Sequence, residues 1–433
     1  MKKKLEQYFE FGTLGTNWRT EIIAGLTTFT TMSYIIFLCP SIMGETGMPY
    51  SALFIATCIS AGVGSILMGA YARFPIALAP GMGLTAYFTY AVVLGMGVSW
   101  QTALGAVFIS GVVFLFLTVV GIRKMIVSAI PAEMYAAVST GIGLFIAFIG
   151  LQKSGIIVPH PTTLVTMGNL GTPSTLLSIF CLFLIGALLA RGIRGAILIG
   201  IVVTMGVGCI FNITDLHGHS FSYSEIGLTA FRLDIPGALR LGVAEIIFTF
   251  LFIDMFDNIG TLIAVGKRGG LFNSSNQIPG VNRILASDAV ATIVGSVAGT
   301  STVVSYIESA AGVVAGGKTG VVAIVTGLLF VAALFLAPLV GVIPIAVTAP
   351  ALIIVGSLMV AQIGEIKWSV PDIAIPAFLT MITIPLTFSI ANGLALGFMA
   401  FTVLRVLTGR YREVNFLMYV MTALLVAKVL YQA

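Results

Sequence analysis

Charge is scarce in this sequence. Asp, Glu, Lys and Arg together occupy 9% of its positions, against about 25% in soluble globular proteins. A water-soluble fold is thereby excluded, and a mean hydropathy of +1.10 agrees. Cysteine is sparse too. Cys39, Cys58, Cys181 and Cys209 lie in or beside apolar stretches, with neither CxxC nor metal-ligand spacing. Neither a disulfide framework nor a metal site is expected, and the four read as packing residues. The three histidines, His160, His217 and His219, fall in the two longest polar connections, which argues against a histidine relay inside a membrane. The opening MKKKLEQYFEFGTLGTNWRTE is charged like the start of a signal peptide but has no apolar core and cleavage site directly behind it. The N-terminus is expected to be retained. The net charge of +5 could suggest nucleic acid, but the positions of the charges describe a topology instead, and no nucleic-acid partner is expected.

What is present is apolar length. Runs of about 17 to 25 residues, each able to cross a ~30 Å hydrocarbon core as helix, recur from Glu21 almost to the last residue. They are placed at 20–43, 50–72, 76–98, 100–120, 132–151, 174–190, 193–211, 243–265, 283–299, 300–317, 319–338, 345–363, 372–388 and 392–408. A further apolar stretch, 413–431, is either an interfacial helix or a fifteenth crossing. With a cytoplasmic N-terminus, seventeen of the 21 Lys and Arg residues fall inside. Only Lys153, Arg232 and Arg240 fall outside, and Lys428 is undecided. The expectation is an all-α polytopic membrane protein with fourteen transmembrane segments.

Fourteen divides into seven and seven, and an odd number per half inverts the second half, as in inverted-repeat transporters. The third segment of each half is interrupted. FPIALAPGMGLTAYFTY and VGSVAGTSTVVSYIESAAG exchange a clean apolar helix for Gly, Pro, Ser and Thr. Non-helical backbone at membrane depth is tolerated only where protein or a polar cavity satisfies it. Segments 3 and 10 are therefore expected to run extended at 80–85 and 302–307. Half-helices should then begin near Ala86 and Glu308, their N-termini offering free N–H donors. Glycines that merely allow close helix packing are the plainer alternative, but they do not explain APGMG together with TST.

The stretch FLFIDMFDNIGTLIAVG carries Asp254, Asp257 and Asn258 in the middle of an apolar helix, spaced i, i+3 and i+4. That spacing places them on one face. Acids at mid-bilayer cost several kcal/mol and mark an ion or substrate path. Glu308 adds a third acid, and no Lys or Arg lies within the core of these helices. Protonation is the remaining way to lower the cost of holding them, which suits groups that pick up and release H⁺. Asp288 is a fourth buried acid, a ligand contact or a supporting group. Glu133, Glu245 and Asp372 sit near helix ends, where capping or interfacial placement explains them.

A small anion would be repelled by Asp254 and Glu308 unless both were protonated. A sugar would favour more Asn, Gln and Trp. A neutral planar heterocycle fits better: carboxylates accept from its N–H edges, backbone amides donate to its acceptors, and Tyr34, Tyr87, Phe88 or Tyr306 can cover its faces. An aspartic protease is the enzymatic rival. Its dyad comes from two facing helices, whereas Asp254 and Asp257 share one helix and no GxGD follows; no enzyme is expected. An anion carrier of the same fold, a sensor and a channel are further alternatives.

The set APGMGLTAYF, FIDMFDNIGTL, NRILASDAVATIVGSVAGTSTVVSYIESAAGV and PLTFSIANGLALGF resembles the azaguanine-resistance-type purine permease branch of the nucleobase-cation symporters, relatives of the uracil and xanthine permeases, over essentially the whole chain. The resemblance implies a core domain of helices 1–4 and 8–11 (20–120 and 243–338) and a gate domain of helices 5–7 and 12–14 (121–242 and 339–433), with 1–19 a cytoplasmic N-terminus. It also implies nucleobase and proton moving together by an elevator mechanism in a bacterial inner membrane, with no other cofactor and with homodimerisation through the gate. Position by position, Asp254 resembles the substrate-binding acid of helix eight, and Asn258 falls where uracil-type members place a histidine. Asp257 matches a second helix-eight acid of the purine branch. Glu308, flanked by Ile307 and Ser309, matches the acid after the helix-ten strand, and Leu84 and Thr85 match the helix-three strand. Thr85 stands where oxopurine-reading members often have Asn, which favours adenine over guanine or hypoxanthine.

Overall fold

The computed structural model describes residues 2–121, 130–213, 221–272, 278, 280–335, 344–416, 418, 419, 422 and 423. Hydroxyl and amide caps fix where many of its helices begin. Asn17 accepts from Thr20 N at the head of α1 (Trp18–Met32). Ser99 caps α5 (Trp100–Val120), Thr172 caps α7 (Pro173–Ala190), Thr319 caps α12 (Gly320–Ala333) and Ser389 caps α15 (Ile390–Leu407) in the same way. The first apolar segment is broken at Ser33 and Tyr34, and continues as α2 (Ile35–Met43), which carries Pro40 inside it. Between these lie α3 (Tyr50–Leu67), α4 (Met82–Ala86), α6 (Ala132–Lys153), α8 (Ala196–Ile210), α9 (Leu241–Gly269), α10 (Val281–Ala298), α11 (Ser309–Val314), α13 (Ile345–Val360) and α14 (Pro371–Thr387).

Among the described residues, nine helical stretches are long and apolar enough to cross a membrane. Four shorter apolar helices, Met82–Gly95, Ala196–Ile210, Gly320–Ala333 and Pro371–Thr387, accompany them. The chain is thus a mostly helical, multi-pass membrane protein. The stretch 413–431 lies mostly outside the described residues, as do His217 and His219.

The helices pack in two groups. In one, α10 lies against α3 and α5, α12 against α1 and α3, and α9 against α5 and α11. In the other, α6 lies against α13 and α14, α14 against α15, and α7 against α8 and α13. Each group joins a piece of the first half of the chain to a piece of the second. Glycine sets how near the backbones come: a Cβ on Gly143 would lie 2.7 Å from Gly356 O, and one on Gly356 would lie 2.4 Å from Gly143 O.

Two interrupted segments meet inside the first group. Strands β1 (Leu78–Pro80) and β4 (Val303–Ser305) pair antiparallel, with Leu78 opposite Ser305 and Pro80 opposite Val303. A second hairpin, β2 (Ile157–His160) with β3 (Leu164–Met167), lies in the connection after α6 and carries His160 at its turn.

A three-residue pair leaves edge groups unpaired, and side chains of the surrounding helices satisfy them, as burial demands. Ser65 Oγ accepts from Leu78 N at 2.8 Å and donates to Leu78 O at 3.0 Å. Thr292 Oγ1 donates to Val303 O at 2.9 Å, and Asn258 Oδ1 accepts from Ser305 N at 2.9 Å. Tyr306 OH donates to Pro80 O at 2.5 Å.

The extended reading of 80–85 needs correcting. Gly81 N makes the last pairing bond, to Thr302 O at 3.0 Å, and Thr85 N then bonds Gly81 O at 2.8 Å. Helix therefore starts at Met82, four residues before Ala86, and Leu84 and Thr85 are helical. Proline and glycine together end the strand, and nothing after Gly81 resists the helix. On the other side the second half-helix begins at Ser309, with Glu308 as its N-cap.

The two groups also touch at one end of the molecule. Glu45, after α2, accepts from Tyr90 OH at 2.7 Å and pairs with Lys153 at the end of α6. The Lys153 ammonium lies 5.3 Å from the Tyr90 ring centre. The pair is 32% and 19% exposed, so solvent screening limits its worth. A double-mutant cycle of Glu45→Gln and Lys153→Met, read by thermal unfolding in detergent, is expected to return a coupling of about 1 kcal/mol. Additive effects would mean that the contact stabilises nothing.

Candidate functional site

A narrow cleft, with about 50 Å³ of free space inside it, lies where β4 and the following turn, α9, α6 and α13 face one another. Asp257 and Thr261 come from α9, Ser139 from α6, and Tyr306, Ile307 and Glu308 from the turn after β4. Val355, Leu358, Met359 and Gln362 close it from α13 and the turn behind, and Met82 and Gly83 from the first half-helix. None of the described residues lining it is Lys, Arg or His.

Glu308 is half-buried, and its two oxygens differ. Oε1 accepts the phenol hydrogen of Tyr34 at 2.6 Å, while Oε2 is buried without a hydrogen-bond partner. Tyr34, 1% exposed, is held at the break between α1 and α2. The hydroxyl of Ser305 is likewise buried and unpartnered. The cleft therefore presents two acids and several hydroxyls to whatever enters it, and no cation among the described residues.

Asp254 and Asn258 lie off the cleft. The Asn258 amide donates to Asp254 Oδ1 at 2.5 Å and to Asp288 Oδ2 at 2.7 Å, while its oxygen takes Ser305 N. All three side chains are essentially fully buried. The separation from Asp257 follows from helix geometry. Each residue turns the helix by about 100°, so Asp254 and Asn258 lie about 40° apart while Asp257 and Asn258 lie about 100° apart. The three span one broad face, with Asp257 at its cleft edge and Asn258 at its strand edge.

Thr85 Oγ1 hydrogen bonds to Ser301 Oγ at 2.6 Å, and neither Thr85 nor Leu84 lines the cleft. Ser309 Oγ accepts from Ala77 N at 3.0 Å, which ties the half-helix to the chain before β1. Of the residues singled out in the sequence, Asp257, Glu308, Ile307, Tyr34 and Tyr306 meet at the cleft. Thr261, which sequence reasoning missed, was legible at one helical turn from Asp257. Ser139 and Gln362 carried no signal, because nothing local marks a polar residue of one helix as facing another.

The model of the permease family that takes in xanthine and uracil permeases matches residues 19–396. A Methanocaldococcus jannaschii protein named as a permease is 50% identical over 430 residues, covering 99% of each chain. Adenine permease AdeQ of Escherichia coli is 42% identical, covering 98% of this chain and 96% of its own. Guanine/hypoxanthine permease PbuG of Bacillus subtilis is 44% identical, covering 96% and 97%. Among solved structures, the transmembrane domain of a cyanobacterium bicarbonate transporter, BicA, superposes with a TM-score of 0.64 over 88% of this chain and 98% of its own. At 16% identity that likeness concerns the fold alone.

Proposed function

This chain belongs to the xanthine/uracil permease family, a family of transporters and not of enzymes, and from that premise we propose that it imports a purine nucleobase, adenine, together with protons. The observation that carries the reading is the cleft between the two helix groups, where Asp257 and Glu308 stand with Ser139, Thr261 and Ser305 and, among the described residues, no basic one. Carboxylates accept from the N–H edges of a purine, hydroxyls donate to its ring nitrogens, and Val355 and Met359 offer apolar surface to its faces. An anion would meet two acids there and no positive partner.

The fold supports alternating access. Among the described residues, the nine long helices and four shorter ones, taken with the broken segment at 303–314, would make fourteen passes, read as two inverted sevens. The group of α1–α5 with α9–α12 acts as the core and carries most of the cleft; α6–α8 with α13–α15 acts as the gate. With the N-terminus in the cytoplasm, Thr261 and Gln362 would lie towards the cytoplasmic ends of their helices and the Glu45–Lys153 contact towards the outer side. Elevator movement would slide the core past the gate, and a homodimer through the gate would hold the latter still. The membrane would be the cytoplasmic one.

The 42% identity to AdeQ and the 44% identity to PbuG support a purine and do not choose among purines. Thr85, whose hydroxyl is engaged by Ser301, does not choose either, so adenine is the first reading tested and guanine or hypoxanthine the second. The test is uptake of labelled adenine by purified protein in liposomes under an inward proton gradient, competed by hypoxanthine, guanine and uracil. Adenine alone competing supports the first reading, and better competition by an oxopurine selects the second. Absence of accumulation refutes symport.

The coupled proton would sit on Asp254, Asp257 or Glu308. An acid that must be protonated for binding loses its proton as pH rises, so apparent affinity for the purine is expected to weaken at alkaline pH. Equilibrium binding across pH 5–9 checks this, and a flat profile would uncouple the proton from binding.

A further inference from the structure

Tyr34 reads from the sequence as an aromatic that covers a ligand face. Its geometry assigns it another task, and this inference rests on the cleft being the purine site. We propose that Tyr34 is a positioning residue for Glu308: its phenol occupies Oε1, so that proton and ligand both use the single remaining oxygen, Oε2.

Three observations converge. The Tyr34 hydroxyl has one hydrogen and gives it to Oε1 at 2.6 Å, so Oε1 acts only as an acceptor. Oε2 of the same carboxyl is buried and has no hydrogen-bond partner, in a residue that lines the cleft. Tyr34 itself sits at the break in the first apolar segment, 1% exposed, with Leu38 N bonded to its carbonyl at 3.0 Å. The same segment reaches the Glu308 backbone, since Thr31 Oγ1 lies 3.5 Å from Glu308 O.

The chemical consequence is a choice between two occupants. When Oε2 carries a proton, it donates; when it does not, it accepts an N–H from the ligand. With Oε1 engaged by Tyr34, the proton on Oε2 decides which of the two contacts the ligand meets there. The titratable groups facing Glu308 are Asp257 from α9, Tyr34, and Tyr306 of its own segment, and the described residues lining the cleft include no cation to override them.

The variant Tyr34→Phe keeps the ring and removes only the hydroxyl. It is expected to reach the membrane normally and to bind adenine roughly ten- to a hundredfold more weakly, the range for losing a hydrogen bond to a charged group. Without that donor the carboxyl has a different hydrogen-bond environment, so the pH dependence of binding is expected to change. In a Glu308→Gln background the same substitution should add little, because the two act as a unit. Wild-type affinity with an unshifted pH profile, or full additivity with Glu308→Gln, would overturn the proposal.

An infrared readout keeps this distinct from the choice of substrate. In ligand-free protein, the protonated-carboxyl band removed by Glu308→Gln is expected to shift in Tyr34→Phe. A band unchanged by Tyr34→Phe would sink the positioning role even in a protein that transports purine. A shifted band in a protein that binds no purine would retain the hydrogen-bond assignment and reject the proposed function.

Discussion

Glu308→Gln is expected to abolish gradient-driven accumulation of purine while the protein still inserts and folds. The amide keeps the size of the side chain and can still accept from Tyr34 through its oxygen, so the turn after β4 has no reason to rearrange. What changes is the atom facing the cleft. Oε2, buried and unpartnered, is replaced by an NH₂ that can neither accept an N–H nor take up a proton. A hydrogen bond to a charged group contributes roughly 1.5–3 kcal/mol, so binding should fall by about a hundredfold. Accumulation should fall further, because a group that cannot exchange protons leaves the cycle without one of its coupling candidates. Uptake into proteoliposomes with and without a proton gradient, alongside purine binding at equilibrium, separates the two losses. Accumulation that survives in Glu308→Gln would remove Glu308 from the coupling candidates, and the same experiment with Asp257→Asn and Asp254→Asn apportions what remains.

The largest effect on stability is expected from Asn258→Ala. One amide joins Asp254, Asp288 and the backbone of β4 at 2.5, 2.7 and 2.9 Å. Its removal takes a shared donor from two fully buried carboxyls and strips Ser305 N of its acceptor. Leaving a buried donor or acceptor without its partner typically costs about 1–3 kcal/mol, more where the group is charged. A loss of that size, read as lowered thermal stability in detergent and reduced yield, should accompany a loosened β4. Because β4 leads into Glu308, purine binding should weaken even though Asn258 does not line the cleft. A variant as stable as the parent would mean that the two acids find other donors and that the strand needs no support from α9.

These two predictions separate residues that the sequence presents together. The acids in FIDMFDNIGTL announce a polar site in a membrane helix, and the glycines, proline and hydroxyls of APGMG and TST announce backbone that leaves the helical form. Both signals are local: a carboxylate in an apolar run and a helix breaker at membrane depth are conspicuous wherever the rest of the chain goes. The positions of the apolar segments were equally legible, since hydropathy and capping residues act over neighbouring turns. The sequence alone therefore determined a multi-pass membrane protein with acids beside two interrupted segments.

What it did not determine is which acid meets which neighbour. Asp254 and Asp257 differ by three residues, and only the rotational setting of α9 against β4 and α13 sends one to the strand and the other to the cleft. Thr85 reads as a ligand contact until Ser301 is found 2.6 Å away, across a separation of more than two hundred residues. Ser139 and Gln362 enter the site because α6 and α13 pack together at glycine contacts, an arrangement set by backbone shape and not by any motif. Periodicity fixes a side chain's angle about its own helix, but the partner at that angle is fixed by how helices distant in sequence pack, and that only the tertiary structure decided.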